Sequence, residues 1–376
     1  MDFSLSEEQQ LLKDSVDKYI AERYDYETRR GYLAEAQGFS AAVWRDFAEL
    51  GWLTVPLPES FGGFGGSVVD TAVLFEAFGR GLVVEPYLAT VLLAGQLIAR
   101  GDNEALKAQW LEPIMAGQSQ AAFAYLERHS RFDLDQINCR AERDGQGYRL
   151  SGHKALVLNG MAADVLLVSA RSDDGIELFA LPSTAPGVTR RGFVLMDGQP
   201  VANIELDNVA VEAGAKVCAS GEALALMRAV VDEATVAIAA QAVGAMEYLV
   251  KATADYANTR KQFGQPIGKF QALQHRMVDM YMATEQCRSL LVRALCSVAE
   301  REEQAPQDIA ALKAMVGKYG RSVAEEAVQL HGGMGVTEEL NIGGYLKRLM
   351  VIDSLFGDSR WQRKRFTEMR YSSTAA

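Results

Sequence analysis

The sequence predicts an α+β protein with segregated layers. An N-terminal α-helical domain covers 1–118, a small antiparallel β domain 119–220, and a C-terminal bundle of long helices, a four-helix bundle, 221–376. Three observations lead there. Apolar residues recur at helical spacing over the first 118 residues. Short β-rich runs then alternate with turn signals. Finally, apolar positions return at alternating steps of three and four over stretches too long for an ordinary surface helix. At 376 residues the chain is long for a single core, which also favours two or three layers.

In the first region, Ser6-Glu-Glu is a plausible N-cap followed by early acids, with Leu11, Leu12, Val16, Tyr19 and Ile20 on one face. A second helix carries Val43, Trp44, Phe47 and Leu50 and stops at Gly51. The glycine cluster from Pro56 to Gly66 has neither the GK[ST] ending of a phosphate loop nor a GxGxxG spacing, so it reads as a long tight loop. A mostly apolar helix through Leu74, Phe75 and Phe78 follows, then one from Tyr87 to Ile98 and one from Ala105 to Met115.

From about Ala121 to Val211 the runs are short and β-rich. They include Tyr148-Arg-Leu after Asp144-Gly145, Leu156-Val-Leu before Asn159-Gly160, Val165-Leu-Leu-Val, Ile176-Glu-Leu-Phe, and Ala202 to Leu206 before Asp207-Asn208. From about Gly221 long helices take over. The series Phe270, Leu273, Met277, Met280, Thr284, Cys287, Leu291, Ala294, Val298 is a bundle seam. A further helix runs from about Gln307 to Leu330 and stops at His331-Gly-Gly-Met-Gly. A final one carries Tyr345, Leu349 and Ile352 into Leu355-Phe-Gly-Asp-Ser.

Composition narrows the functional classes. The net charge of −11 argues against a nucleic-acid or anionic-membrane surface. Cys139, Cys218, Cys287 and Cys296, like the four histidines, are scattered without metal or disulfide spacing, so no metal site is expected and a reducing cytoplasm is the expected compartment. The opening Met-Asp-Phe-Ser-Leu-Ser-Glu-Glu has no basic start and no apolar run, so neither a signal peptide nor a membrane span is expected.

One stretch, Tyr256 to His275, joins two long helices. It sets Arg260-Lys261 beside Phe263-Gly264, then a Pro266/Gly268 turn, then Gln271 and Gln274. An arginine next to an aromatic and a glycine suits a pyrophosphate with an adenine ring nearby: the guanidinium pairs bidentately, the aromatic covers a ring, and glycine admits close backbone approach. A basic, solvated inter-helix turn is the other reading. Gln329 to Gly335 likewise reads as a helix C-cap turn or as a glycine turn whose amides serve a phosphate. Arg128 and Arg131 either meet a distal carboxylate or solvate their loop.

Arg260-Lys-Gln-Phe-Gly with Gln271 and Gln274, Gln329-Leu-His-Gly-Gly-Met-Gly, and Gly152-His-Lys-Ala-Leu-Val-Leu-Asn-Gly together resemble the acyl-CoA dehydrogenase family over nearly the whole chain. The resemblance implies an FAD enzyme that oxidises the Cα–Cβ bond of an acyl-CoA thioester. A carboxylate takes the α proton, flavin takes the β hydride, and an electron-transferring flavoprotein reoxidises the FAD. It implies that Arg260, Phe263, Gln271, Gln329, Gly332 and Gly333 bind FAD of a neighbouring subunit, and that Asp232 lies near the pantetheine arm.

The departures are informative. The family's Thr-Glu-Pro motif is replaced by Leu126-Glu-Arg-His-Ser-Arg-Phe-Asp, and its Trp-Ile-Thr by Leu156-Val-Leu158. The usual catalytic Glu position holds Phe356. The alternative position on the first bundle helix is Ala234, with Glu233 one residue earlier, so Glu233 is the candidate base only through a local helix distortion. Val-Asp-Glu-Ala, Glu-Arg-His-Ser-Arg and Leu-Phe-Gly-Asp-Ser resemble the small subunits of heteromeric dehydrogenases of the pimeloyl-CoA or steroid side-chain type. Three readings therefore stand: a dehydrogenase using Glu233, as a homo-oligomer or in a heterotetramer with a second subunit; a catalytically silent subunit that completes a partner's FAD and acyl-CoA site; and a flavoprotein of other chemistry, such as an oxygen-using one.

Overall fold

The computed structural model describes residues 4–372. Eleven α-helices among them are α1 (Glu7–Arg23), α2 (Tyr26–Ala34), α3 (Ala41–Glu49), α4 (Val68–Gly81), α5 (Gln96–Arg100), α6 (Glu104–Met115), α7 (Ala223–Thr259), α8 (Gln271–Ala299), α9 (Ala305–His331), α10 (Ile342–Ser354) and α11 (Ser359–Ser372). The strands are β1 (Ala121–Ala124), β2 (Arg140–Asp144), β3 (Gly147–Leu158), β4 (Val165–Ser172), β5 (Gly175–Pro182), β6 (Val188–Val194), β7 (Pro200–Val211), and the two-residue pair β8 (Lys261–Gln262) and β9 (Gln265–Pro266). The predicted order of helices, sheet and helical bundle is what the chain adopts.

Contacts divide the chain into two compact units. Among the described residues, one comprises those up to Arg30, Val68–Val83 and those from Thr235 on; the other comprises Gly31–Ser67 and Val84–Ala234. In the first, α1 packs on α4, and α9 is the central helix, touching α8, α10 and α11. Ser6 caps α1 as expected: its hydroxyl accepts from Gln9 N, and the Gln9 side chain accepts from Ser6 N. Helices α4 and α7 approach closely enough to exclude side chains. A Cβ at Gly79 would lie 1.9 Å from Gln241 O, and one at Gly244 would lie 2.0 Å from Glu76 O. The seam of α8 is buried from Met280 to Ala294, whereas Val278, Tyr281 and Met282 on its other side are exposed.

The second unit holds a seven-stranded sheet in the order β1-β4-β2-β3-β7-β6, with β5 also on β4. Antiparallel pairing dominates, as expected, but β1 runs parallel to β4, and β2 touches β4 in parallel at Arg140 and Arg171. Trp44, Phe47, Trp52, Leu53 and Leu57 form an apolar core in this unit.

Three elements differ from the sequence reading. The segment expected as one helix from Tyr87 to Ile98 contains a π-helical stretch, Leu88–Gly95, before α5. Helices α2 and α11 had no expectation; α11 reads SRWQRKRFTEMRYS, too polar to show an apolar stripe. Among the described residues no helix is long and apolar enough to cross a membrane, and no group of three or more His, Cys, Asp or Glu could hold a metal ion.

Candidate functional site

Within the bundle unit, α7 ends where Arg260 begins the β8–β9 hairpin. Ile267 N donates to Arg260 O at 2.8 Å, closing the turn. The tip residue Phe263 has a left-handed backbone (φ 53°) and is 89% exposed, with its ring edge-on to Phe270 at 6.1 Å. An exposed ring held in a costly backbone conformation is a feature that calls for a ligand or partner. Arg260 is exposed as well, and its side chain makes no ion pair with any described residue. Gln271 is exposed at the start of α8, while Gln274 donates to Gly268 O at 2.9 Å and so braces the turn.

At the far end of α9 the chain turns at Gly332 (φ 60°). A Cβ built on Gly332 or Gly333 would meet no atom within 4 Å beyond the adjoining residues, so the side-chain direction at both is open. Gln329 is exposed one turn earlier, and its carbonyl accepts from Gly332 N. The two segments share one end of the bundle because Tyr256 stacks on His331, with centroids 4.4 Å apart, and donates its hydroxyl to His331 O at 3.3 Å. Burial of the His331 ring pushes its pKa down, which favours the neutral form suited to this stack. No local spacing in the sequence signals this contact.

The carboxylate candidates lie elsewhere. Glu233 on α7 meets Arg100 at the end of α5. One guanidinium nitrogen donates to Oε1 at 2.7 Å and the other contacts Oε2, while Arg100 Nε donates to Gln96 Oε1 at 2.7 Å. Both oxygens of the candidate base are thus committed to a braced guanidinium fork. Asp232 beside it is half-buried and also engaged, and Ala234 is buried.

Phe356 sits in the link between α10 and α11. It is buried, with φ 54°, and its carbonyl accepts from Gln362 Nε2 at 2.7 Å. Beneath the link, the fully buried Lys313 donates to Asp353 O and Gly357 O, each at 2.8 Å.

In the sheet unit a cleft of about 530 Å³ opens on one face of β3, β7 and β6. Strand alternation puts its polar wall together: His153 pairs with Glu205, Glu205 with Thr189, and Asn203 with Arg191. The loop from Leu126 to Asn138 forms the other wall, and Glu127 holds it. The Glu127 carboxylate accepts from Lys154 Nζ at 2.7 Å, Asn138 N at 2.9 Å and Cys139 N at 3.1 Å. Burial is the largest influence on this carboxyl and pushes its pKa up, but Lys154 and the two amides outweigh it and hold it below the ordinary range. Burial pushes the neighbouring Cys139 thiol up to about 11, so it stays protonated and inert. Leu156, at the bulge in β3, is exposed with φ 53°, and its amide donates to Asn203 Oδ1 at 3.3 Å. A buried cluster not anticipated from sequence lies in the same unit: Asn159 Nδ2 donates to Thr90 Oγ1 at 3.2 Å and to Gln120 Oε1 at 3.1 Å, tying the strand end to the π-helical stretch.

The sequence matches three family models. They are described as the acyl-CoA dehydrogenase N-terminal domain (residues 6–118), middle domain (122–209) and C-terminal domain (221–369). A similar protein is acyl-CoA dehydrogenase FadE27 of Mycobacterium tuberculosis, 30% identical over 372 residues, covering 97% of this chain and 97% of that protein. Among solved structures, the ChsE4-ChsE5 complex from Mycobacterium tuberculosis superposes with a TM-score of 0.90 at 29% identity, covering 98% of this chain and 99% of the other. The FAD complex of PigA superposes with a TM-score of 0.91 at 25% identity, again over 98% and 99%.

Proposed function

The chain belongs to the acyl-CoA dehydrogenase family of oxidoreductases, and from that premise we propose that it works as one subunit of a heteromeric, FAD-dependent acyl-CoA dehydrogenase in the cytoplasm. In this reading it completes a cofactor site shared with a second dehydrogenase subunit, and that subunit supplies the catalytic carboxylate. The observation that carries the proposal is the state of the two carboxylate positions: they hold Phe356 and Ala234, and Glu233, one residue before the second, has its carboxylate on Arg100. The two-chain complex among the similar structures supports the assembly.

The residues present fit a dinucleotide. Arg260 offers an unpaired guanidinium fork for a pyrophosphate. Phe263 offers an exposed ring, and the exposed Gly332 and Gly333 have no side chain to keep a ligand from the backbone. Gln271 and Gln329 add exposed amides at the same end of the bundle. When bound, FAD supplies the hydride acceptor for α,β-dehydrogenation of an acyl-CoA thioester, and an electron-transferring flavoprotein takes the electrons onward. Asp232 is assigned to the pantetheine arm. The part of this chain is to bind and orient; proton removal falls to the partner.

The test is co-expression with a second dehydrogenase subunit, followed by the visible spectrum of the purified complex. Arg260→Ala is expected to lower bound flavin per mole of complex while leaving the far-ultraviolet circular dichroism unchanged. Unchanged flavin content in that variant, or full acyl-CoA oxidation by this chain alone, overturns the proposal.

A further inference from the structure

The two segments proposed to hold the dinucleotide are far apart in sequence, and each is slight on its own. The β8–β9 hairpin has two residues per strand, pairing Lys261 with Pro266 and Gln262 with Gln265. A hairpin that short is marginal in water. Its foot carries the exposed Arg260. The other segment turns at Gly332 in a left-handed conformation, and Gly332 and Gly333 are both exposed. Neither segment by itself fixes how far the guanidinium of one stands from the backbone of the other.

Tyr256 supplies that distance. Its ring stacks on His331 at 4.4 Å with 29° between the planes, and its hydroxyl donates to His331 O at 3.3 Å. Among the described residues no other hydrogen bond or ring contact joins the stretch from Tyr256 to Phe270 with the turn from Gln329 to Val336. Tyr256 stands one helical turn before Arg260, whose amide donates to Tyr256 O at 2.8 Å. His331 directly precedes Gly332. The clasp therefore ends one turn from the guanidinium and one residue from the glycines. Both of its ends are firm. The His331 ring is buried, and its Nδ1 lies 2.8 Å from Ala327 O, which can only accept, so that nitrogen carries the proton. A Cβ on Gly335 would lie 3.1 Å from His331 Cβ and 2.5 Å from Val328 O, so the turn packs back on α9. On the hairpin side, Ile267 N donates to Arg260 O at 2.8 Å and Gln274 Nε2 to Gly268 O at 2.9 Å. The foot of the hairpin thus moves with the end of α7.

We propose that Tyr256 is a positioning residue for the cofactor phosphates: through its ring stack on His331 it holds Arg260 and the Gly332–Gly333 turn at one separation, so that a single pyrophosphate meets both. The inference rests on the reading of Arg260 as a phosphate residue. A guanidinium pairs bidentately only when its fork is aimed at the oxygens to within roughly 0.5 Å. An alignment already set by the fold leaves less ordering to be done when the cofactor arrives. Tyr256 acts through Arg260 and the turn, and needs no contact with the cofactor itself.

The experiment takes the full-length chain in its purified, flavin-containing assembly, strips the flavin, and titrates with FAD while flavin fluorescence is followed. Tyr256→Leu is expected to weaken FAD binding about tenfold, the size of a lost aromatic pair and hydrogen bond together. Tyr256→Phe keeps the stack and is expected to stay within about threefold of wild type. His331→Ala opens the same clasp from the other side and is expected to match Tyr256→Leu; it decides the matter where circular dichroism shows that Tyr256→Leu has not folded. Because Tyr256 acts through Arg260, the double variant Tyr256→Leu, Arg260→Ala is expected to bind within about threefold of Arg260→Ala alone, whereas independent losses would multiply. The inference is overturned if either clasp variant, once folded, binds FAD like wild type, if Tyr256→Phe loses as much as Tyr256→Leu, or if the double variant shows the full product of the two losses. Wild-type FAD binding by Arg260→Ala overturns instead the phosphate reading on which the inference rests.

Discussion

A carboxylate acts as a base only when a lone pair can reach the proton it takes, and Glu233 has both oxygens on Arg100. In an active complex, Glu233→Gln is therefore expected to lower the rate of acyl-CoA oxidation less than about tenfold, whereas loss of a true general base costs about 10²–10⁴-fold. Steady-state rates with an artificial electron acceptor decide it, and a loss within the larger range would make Glu233 the base. The buried pair Glu127–Lys154 behaves differently, because neither group can fall back on water. Lys154→Met leaves the Glu127 carboxylate buried without its cation and is expected to cost about 3–5 kcal/mol in urea unfolding. The double change with Glu127→Gln is expected to cost less, since no uncompensated charge remains. The depressed pKa of Glu127 means that its contribution is present above the ordinary carboxylate range and is lost as pH falls through the folded-state value. Such pairings were illegible in the sequence for a physical reason. Arg100 and Glu233 are 133 residues apart, and Glu127 and Lys154 are 27 apart; no local period encodes either meeting. The reading of Arg260, Phe263, Gly332 and Gly333 left a solvated turn and a helix C-cap turn open beside a phosphate site, and it took their FAD roles from the family resemblance; all four residues are exposed.

Elements with a single apolar stripe were legible, and those that bury more than a stripe or less than one were not. The π-helical stretch Leu88–Gly95 is buried on nearly every side, so its sequence has no period to betray the wider turn, and the polar α11 has no stripe at all. The link from α10 to α11 shows how a buried charge can hold a turn. Lys313 reaches the carbonyls of Asp353 and Gly357, Asp353 Oδ1 accepts from Ser359 N at 3.0 Å, and Asp358 Oδ1 accepts from Trp361 N at 2.8 Å to cap α11. No carboxylate oxygen binds the ammonium directly, and burial pushes its pKa down from 10.5 to about 8 despite Asp353 and Asp358 nearby. Between those values the unfolded chain binds a proton that the folded chain does not, so folding stability should rise with pH, by about 1.4 kcal/mol per pH unit at most. Melting curves of the wild type and Lys313→Met should therefore diverge across this range, with the wild type gaining relative to the variant as pH increases. Parallel curves would mean that Lys313 keeps its ordinary pKa in the folded protein.

At the scale of the molecule, the succession of helices, sheet and helices was readable because each region changes the period of its apolar residues, from three-and-four to two and back. Assembly leaves a different trace, namely apolar surface that the folded chain does not cover. In the bundle unit Val278, Tyr281 and Met282 stand exposed along α8, with Phe263 at the hairpin tip and Met334 and Val336 after α9. That many large apolar side chains on one unit mark an interaction surface, since isolated exposed residues are ordinary but neighbouring ones along a single helix are not. We expect the chain to associate at micromolar concentration, with itself or with the second subunit. The double variant Tyr281→Asp, Met282→Lys should shift light scattering to the monomer while leaving helix content unchanged, because neither side chain enters the buried seam from Met280 to Ala294. Arg260 and Phe263 face solvent rather than a pocket of their own unit, so a dinucleotide held by them needs its other half from a neighbour. The same double variant should therefore also lose flavin, although it alters no residue assigned to the cofactor. A monomer that keeps its full flavin content would place the whole cofactor site within one chain and would separate assembly from cofactor binding.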